Sequence, residues 1–247
     1  MASSRPGDRA GPPPAGSLSA DADRDWFERL YAAADRGQGA VPWDKGAPHH
    51  LLASWVGERE VAGAGRRALV VGCGLGRDSE YLAGLGFAVV AFDFSATAIA
   101  AVRRRFPGSP VRYQVADLLD PPAGWRGGFD LVLESLTVQS LPRQLRPAAI
   151  ARVRELVAPG GTLLVIAAVK GQRPDPPEGP WPLTRAEVGS FAADGLELVR
   201  LQDFRDPDGH RWRAELRRAA PSPALRPPDG RAGPGIRSRS AGGGAPR

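Results

Sequence analysis

The sequence predicts an α/β fold in which a doubly wound sheet of seven strands is covered by helices on both faces. Short apolar, β-branched runs alternate with segments of helical periodicity, which is typical of parallel strands joined by helices. Two further strands follow as a C-terminal antiparallel hairpin, with turn residues at 206–209 between them. The chain has 247 residues, of which 42% are hydrophobic, and this is enough for one sizeable core.

Two helices are predicted ahead of the sheet. Residues 25–36 place apolar side chains on one helical face, and a second helix is expected to begin near Pro48. The predicted strands are 67–72, 87–93, 110–117, 129–134, 161–169, 196–204 and 210–218. The predicted helices between them are 77–85, 96–106 and 147–157, and a capping box from Thr184 to Glu187 predicts one more.

The last predicted strand alternates between apolar and charged residues. Trp212, Ala214 and Leu216 share one face. The side chains of the other face are all charged: Arg211, Arg213, Glu215 and Arg217. Such alternation predicts one face packed on the core and one face in water, which an antiparallel strand at the end of a sheet permits.

Both ends of the chain are predicted to be disordered, because glycine and proline supply seven of residues 1–20 and twelve of residues 219–247. We expect a disordered segment at 1–21, one domain at 22–218 and a disordered tail at 219–247. The net charge is +6, and the tail holds five arginines against one acid, so the expected domain is closer to neutral. Basic residues do not alternate with aromatic ones as they do in single-strand binders, and no specific nucleic-acid partner is expected.

Composition argues against several other classes of protein. No stretch reaches the ~18 apolar residues that a membrane span needs, and the N-terminal residues lack the apolar region of a secretory signal. The single cysteine, Cys73, has no partner for an internal disulfide, and three histidines make a zinc site unexpected. We therefore expect a cytoplasmic protein without a membrane partner or a bound metal.

The strongest motif is a glycine-rich turn between a predicted buried strand and a predicted helix. Glycine at 72, 74 and 76 allows a sharp turn and the close approach of a ligand. The helix that follows presents unpaired N–H groups to an anionic group of that ligand. The dinucleotide motif G-x-G-x-x-G needs a glycine where Arg77 or Ser79 stands, so its phosphate-binding form is not met.

Two acids follow the next two strands at the same predicted edge of the sheet. Asp93 comes 21 residues after Gly72, where a carboxylate accepts hydrogen bonds from ribose hydroxyls in Rossmann-like folds. Asp117 ends the third strand, where its carboxylate can accept a hydrogen bond from an adenine amino group. Either acid alone is also typical of a helix cap or a turn. Combined with the glycine loop, they predict a nucleoside site.

On these residues the chain resembles the class I S-adenosylmethionine-dependent methyltransferases. The loop VVGCGLG, the strand ends AFDFS and VADLLD, and the segments FDLVLES and APGGTLLVI are similar to the five motifs of that family. Val70 departs from the pattern, since many members carry an acid there. The resemblance covers residues 22–218 and implies a Rossmann-like fold, S-adenosylmethionine as cofactor and a small-molecule substrate.

A finer resemblance points to the thiopurine, halide and tellurite methyltransferases, through GCGLGRDSEYLA and the segment VPWDKG at 41–46. In such relatives this segment folds over the cofactor, so the resemblance implies that Trp43 shields the sulfonium and Arg77 faces the methionyl carboxylate. Without it, Trp43 is equally a core aromatic, and Arg77 is a surface arginine. The remaining residues of the expected cofactor-binding set are Gly72, Cys73, Gly74, Gly76, Asp93, Phe94, Asp117, Leu118 and Glu134.

The acceptor is expected beyond the C-terminal ends of the fourth and fifth strands. A thiol, metalloid or halide acceptor needs no strong base, because the enzyme mainly holds two reactants together and excludes water. Glu134 is the candidate catalytic residue, in contact with substrate or sulfonium, and a capping or surface role fits it equally. The loop 171–182, which includes Trp181, is a substrate lid or a plain connector. Neither His49 nor His50 is expected to be a catalyst.

Two other functions stay open at this point. The sequence shows no strong catalytic residue, so a non-catalytic module that binds S-adenosylmethionine is an alternative to the enzyme. A nicotinamide-dependent oxidoreductase is disfavoured by the missing third glycine and the terminal hairpin. The acceptor and the oligomeric state are not specified by these patterns.

Overall fold

The structure, a computed structural model, describes residues 20–172, 179–207 and 209–220. Its helices are α1 (Ala20–Asp35), α2 (His50–Arg59), α3 (Arg77–Gly84), α4 (Ala96–Arg105), α5 (Arg146–Leu156) and α6 (Arg185–Gly189). Its strands are β1 (Arg67–Val71), β2 (Ala88–Asp93), β3 (Arg112–Val115), β4 (Phe129–Ser135), β5 (Val157–Ala168), β6 (Leu196–Asp206) and β7 (Gly209–Arg218). Most of the predicted tail and N-terminal segment, and the middle of the predicted loop 171–182, lie outside the described residues. None of the helices in the described ranges is long and apolar enough to cross a membrane.

The seven strands form one sheet in the order β3-β2-β1-β4-β5-β7-β6. The first five strands pair in parallel, whereas β7 runs antiparallel to both β5 and β6. The strand order reverses between β1 and β4, where ligands bind in open α/β sheets because the neighbouring crossover helices lie on opposite faces. The predicted Rossmann-like α/β fold with a C-terminal antiparallel hairpin is confirmed.

Alternation along the strands divides the core into two clusters, one on each face of the sheet. In β1, Leu69 and Val71 belong to one cluster, and Ala68 and Val70 belong to the other. Helices α5 and α6 pack on the first face, and α2, α3 and α4 pack on the second. Apolar burial on both faces explains why the parallel strands are apolar throughout.

Strand β5 begins four residues earlier than predicted, at Val157 instead of residue 161. Its pairing with β4 shifts register between Phe129 and Leu131, so the glycines here lie in an irregular stretch of strand. A Cβ on Gly161 would lie 2.8 Å from the carbonyl oxygen of Ala158, and therefore only glycine fits there. The pattern Pro-Gly-Gly predicts a turn before the strand, whereas the structure uses it as a bulge within the strand.

The prediction of a wet face on the last strand is wrong at its centre. Helix α2 packs over the charged side of β7, and the side chain of Arg213 is 1% exposed. Its guanidinium donates to the carbonyl oxygen of Leu51 and to Ser54 Oγ, at 3.1 and 2.8 Å. Strand β7 also lies between β5 and β6, so the edge strand of the sheet is β6.

Candidate active site

A cavity of about 620 Å³ opens at the C-terminal ends of the central parallel strands. Its walls come from α1, the segment before α2, the glycine loop, the ends of β2 to β4 and the beginning of β7. The lining residues contain ten of the eleven residues predicted to bind the cofactor: Trp43, Gly72, Cys73, Gly74, Gly76, Arg77, Asp93, Phe94, Asp117 and Leu118. The eleventh, Glu134, does not line the cavity.

The glycine loop has left-handed backbone angles at all three predicted positions, with φ of 61°, 50° and 84° at Gly72, Gly74 and Gly76. These angles favour glycine because a Cβ is strained there. The space around the loop is filled by protein as well: a Cβ on Gly72 would lie 2.4 Å from Thr137 Oγ1. The glycines therefore serve the packing of this loop in addition to keeping the cavity open.

Asp93 lies at the end of β2 with its side chain almost fully buried. Its two carboxylate oxygens accept hydrogen bonds from the backbone N–H groups of Gly74 and Ser95, at 3.0 Å each. Burial raises the pKa of Asp93 to about 6, and these backbone hydrogen bonds oppose the rise. A carboxylate has about four acceptor positions, so Asp93 keeps capacity for ligand hydroxyl groups in the cavity.

Asp117 lies beyond β3 in the turn that leads to Leu118. Its Oδ1 accepts a hydrogen bond from the backbone N–H of Leu119 at 2.9 Å, which is the turn-forming role that the sequence also allows. Asp117 and Leu118 both line the cavity beside Phe94. The turn-forming contact and a ligand contact are compatible, because the second carboxylate oxygen is not used by this bond.

Arg77 is held by an acid that the sequence reasoning missed. Its Nε lies 3.0 Å from Asp44 Oδ1, and Arg105 Nη1 lies 2.8 Å from Asp44 Oδ2. Asp44 thus joins the segment before α2 to both α3 and α4. The pair is only partly exposed, which makes it less screened than a surface ion pair. The sequence places Asp44 directly after Trp43, but no local pattern indicates its partners.

Trp43 stands in a cluster of aromatic rings at the edge of the cavity. Its ring centroid lies 5.7 Å from that of Phe27 and 6.0 Å from that of Tyr31, with edge-to-face geometry. Phe27 in turn contacts Phe94, 6.1 Å away. Trp43 keeps 38% of its surface exposed, so it is a cavity wall and not the core aromatic that the sequence alone also allowed.

His49 and Asp78 attach the same segment at its other end. The backbone N–H of His49 donates to Asp78 Oδ1 at 2.7 Å, and His49 Nδ1 accepts from the N–H of Leu51 at 3.2 Å. The His49 ring stacks on the His50 ring with 4.8 Å between centroids. Burial raises the pKa of Asp78. These contacts make His49 the N-cap of α2.

Glu134 differs from the expectation that it contacts substrate. Its side chain is fully buried below the cavity, and its Oε1 accepts hydrogen bonds from the N–H groups of Thr137 and Val138, at 2.8 Å each. Its Oε2 has no hydrogen-bond partner among the described residues. Burial raises the pKa of Glu134 to about 7. Glu134 therefore stabilises the turn after β4, and this turn packs Thr137 against Gly72.

Replacing Glu134 with glutamine is expected to flatten the dependence of stability on pH. The folded-state pKa is about 7 against an ordinary value of 4.5, so the contribution of Glu134 to the stability of the wild type is fully present below pH 4.5 and is lost as the pH rises through 7. The difference between the two proteins should reach no more than about 3 kcal/mol. Urea unfolding at several pH values measures it. Parallel curves for both proteins from pH 5 to 8 would contradict the assignment.

One half of the cavity, which we call the acceptor half for the function proposed below, is lined by residues at and after the end of β4, by Pro180 and by Arg211 of β7. Its apolar residues are Leu136, Leu141, Pro142, Leu145 and Pro180, and its polar residues are Ser135, Thr137, Gln139, Ser140 and Arg211. All four acids that line the cavity stand in the other half: Asp44, Asp78, Asp93 and Asp117. Trp181 and Lys170 are outside the described lining, although Pro180 is part of it.

The described residues fit an adenosyl group with an amino-acid tail. A buried carboxylate, Asp93, faces the cavity beside a loop where only glycine is accommodated, and Arg77 supplies a cation at the start of a helix. No cluster of three or more metal-ligating side chains occurs in the described ranges. The arrangement can bind a nucleoside on the side of β1 to β3 and a second molecule on the side of β4.

Comparisons with known proteins point to methyltransferases. A family model described as a methyltransferase domain matches residues 68–161. "Probable thiol methyltransferase 2" of Arabidopsis thaliana is 29% identical over 197 residues, which cover 76% of this chain and 85% of that protein. The "2-heptyl-1-hydroxyquinolin-4(1H)-one methyltransferase" of Mycobacteroides abscessus is 28% identical over 210 residues, covering 78% of this chain and 89% of that protein.

Solved structures share the fold. The N-methyltransferase NodS from Bradyrhizobium japonicum, in complex with S-adenosyl-L-homocysteine, has a TM-score of 0.62 at 19% identity and covers 79% of this chain and 98% of that one. Solved structures with this fold contain S-adenosylmethionine or S-adenosyl-L-homocysteine, and together with the match to a methyltransferase domain they support S-adenosylmethionine as the cofactor. The comparisons thus support an S-adenosylmethionine-dependent methyltransferase, and the chain resembles the thiol methyltransferases among them.

Proposed function

We propose that this methyltransferase acts on a small molecule with an apolar body, through a thiol or a comparably soft nucleophile. The observation that carries the proposal is the uneven distribution of charge in the cavity. Every acid among the described lining residues belongs to the cofactor half, and the acceptor half offers apolar walls, hydroxyl groups, the Gln139 amide and the Arg211 guanidinium but no carboxylate. An oxygen or nitrogen acceptor often needs a base within about 3 Å of its proton, whereas a thiol, with a pKa of about 8.5, is partly ionised near neutral pH without one.

In this proposal different residues of the cofactor half contact different parts of S-adenosylmethionine. Asp93 receives the ribose hydroxyls, Asp117 the adenine amino group, and Arg77 the methionyl carboxylate. Asp44 orients Arg77 through the ion pair at 3.0 Å, and Trp43 covers the sulfonium with its aromatic face. The glycine loop with Cys73, and Phe94 and Leu118 beside the two acids, form the remaining walls of this half.

S-adenosylmethionine supplies a methyl group on a positively charged sulfur. The chain itself positions the two reactants and excludes water from the site. The segment with Trp43, fastened through Asp44 and His49, covers one side of the cavity, and the turn held by Glu134 closes the floor. Holding two reactants in line in a site without water lowers the barrier by removing translational freedom and competing solvation. The thiol proton leaves to solvent before the transfer.

The names of the relatives support a small acceptor and differ in its chemistry. One relative is named for thiols and another for a hydroxyquinolone, which has a large apolar ring system. The apolar walls of the acceptor half suit both. The reacting atom is therefore the quantity to test.

Three acceptors with the same ring and different reacting atoms separate the possibilities: thiophenol, phenol and aniline. With methyl-labelled S-adenosylmethionine we expect label on thiophenol, and at least tenfold slower transfer to phenol and aniline. Reactions without protein correct for uncatalysed methylation. Transfer to phenol or aniline at the thiophenol rate would contradict a soft acceptor. No transfer to any of them, with S-adenosylhomocysteine binding intact, would favour the non-catalytic binding module.

A further inference from the structure

Two arginines of the described chain are fully buried, and only one of them touches the acceptor half. Arg146 and Arg213 are each 1% exposed. Burying a guanidinium is costly unless all its donors are paired, so each of these residues organises the groups around it. Their partners are different, and this difference separates a general structural role from a role in the site.

Arg146, the first residue of α5, joins three separate segments of the chain. Its Nε donates to the carbonyl oxygen of Leu141 at 3.2 Å. Its Nη2 donates to the carbonyl oxygens of Gln139 and Trp181, at 3.2 and 2.8 Å, and its Nη1 pairs with Glu187 Oε1 at 2.8 Å. The planar fork of donors matches this set of acceptors, and the guanidinium also lies 6.0 Å from the centre of the Trp181 ring.

Gln139 extends the same network. Its carbonyl oxygen accepts from the N–H of Trp181 at 2.9 Å, and its Oε1 accepts from the N–H of Ala168, the last residue of β5, at 2.6 Å. Gln139 and Leu141 both line the acceptor half, and so does Pro180, which precedes Trp181. Arg146 does not line the cavity itself. It holds the backbone of Gln139 and Leu141, which do line it and which we call the acceptor wall.

Arg213 provides the contrast. It contacts the carbonyl oxygen of Leu51, Ser54 Oγ, Glu58 and Gln202, at distances of 2.7 to 3.1 Å. None of these four partners lines the described cavity. A substitution here removes a buried cation and its hydrogen bonds, as a substitution at Arg146 does, but leaves the acceptor wall in place.

We propose that Arg146 is a positioning residue that fixes the shape of the acceptor half and thereby determines which acceptors bind productively. The inference rests on the proposed function, since it assigns that half of the cavity to the acceptor. The substitution Arg146→Lys keeps the charge but replaces the planar guanidinium with a single ammonium group on a flexible side chain. Some of the carbonyl oxygens that Arg146 binds are therefore left without a donor. The wall from Gln139 to Leu141 then moves relative to Pro180, whereas the residues around the cofactor stay in place.

The experiment compares Arg146→Lys with the matched control Arg213→Lys. For Arg146→Lys we expect the KM for the best acceptor of the wild type to rise at least tenfold. The affinity for S-adenosylhomocysteine, measured by titration calorimetry, should stay within twofold. For Arg213→Lys we expect a similar loss of melting temperature, with acceptor KM and S-adenosylhomocysteine affinity both within twofold. A loss of stability alone does not produce this split between the two variants.

A second measurement does not depend on turnover. Amide hydrogen exchange at residues 139–141 and at residues 181, 183 and 184 should be faster in Arg146→Lys than in the wild type and unchanged in Arg213→Lys. If Arg146→Lys does not fold, Glu187→Gln removes the charged partner and keeps the capping box with Thr184. This milder variant should raise the acceptor KM in the same direction by a smaller factor.

The outcomes separate the inference from the proposed function. An acceptor KM within twofold of the wild type in Arg146→Lys, or an equal rise in both lysine variants, would overturn the role of Arg146. If the wild type methylates no acceptor, the proposed function fails. The exchange measurement then still decides whether Arg146 holds the wall.

Discussion

Replacing Asp93 with alanine is expected to weaken the binding of S-adenosylhomocysteine by about ten- to a hundredfold, because hydrogen bonds to a charged group contribute about 1.5–3 kcal/mol. The change removes the carboxylate proposed to receive the ribose hydroxyls. It also leaves the N–H groups of Gly74 and Ser95 without their acceptor, so the glycine loop loses its anchor. Titration calorimetry at pH 8, where a group with a pKa of about 6 is ionised, measures the effect.

A matched control exists at the opposite end of β1. Asp130 accepts a hydrogen bond from the backbone N–H of Arg67 at 2.8 Å, so Asp130→Ala also removes a carboxylate that anchors backbone. We expect it to leave the affinity within twofold. Asp93→Asn keeps one acceptor oxygen and should fall between the wild type and Asp93→Ala. Equal affinities for the wild type and Asp93→Ala would remove the ribose assignment and with it the orientation of the cofactor.

Replacing Gly76 with alanine is expected to destabilise the folded protein by about 2–5 kcal/mol, the sum of left-handed strain and overpacking. Gly76 precedes α3 with φ of 84°, and an added Cβ would lie 2.4 Å from Val102 Cγ2 and 2.6 Å from Tyr113 Oη. Both neighbours are buried, and the Tyr113 hydroxyl donates to Glu80, so neither moves easily. Thermal unfolding should show a melting temperature lower by about 5–15 °C.

Gly84 in the same helix is the control for this substitution. Nothing lies within 4 Å of the Cβ that Gly84→Ala would add. Alanine favours the helix by up to about 1 kcal/mol over glycine, so this variant should be as stable as the wild type or slightly more stable. A melting temperature for Gly76→Ala equal to that of Gly84→Ala would show that the loop relaxes around the added methyl group.

The features that sequence reasoning predicted well are those that depend on neighbours along the chain. The glycine loop follows β1 directly and the acids follow β2 and β3. Parallel strands bring their carboxyl ends to one edge, so spacing alone places Gly72, Asp93 and Asp117 together. The capping box at Thr184 is equally local, and the structure shows both of its hydrogen bonds. Whether these residues hold the cofactor as proposed is the subject of the Asp93 experiment.

The features that sequence reasoning missed depend on segments that are distant along the chain. Asp44 pairs with Arg77 and Arg105 across two different helices, and no periodicity encodes those contacts. Arg213 looks like a solvated strand residue until α2 packs above it. Glu134 stands at the expected strand end, but its side chain turns below the cavity to meet two backbone N–H groups. Tertiary packing decides whether a charged side chain is buried, and the sequence pattern of a single strand does not encode that packing.

The place of β7 between β5 and β6 has a consequence for how the chain is synthesised. Strand β5 is complete at Ala168, but the strand that covers its second edge begins only at Gly209. During translation the amide and carbonyl groups along one edge of the apolar strand β5 are therefore unpaired for a time. Such an edge can pair with another nascent chain. A lower level of expression should accordingly increase the yield of native protein, because fewer nascent chains are then close enough to pair with β5 before the hairpin does.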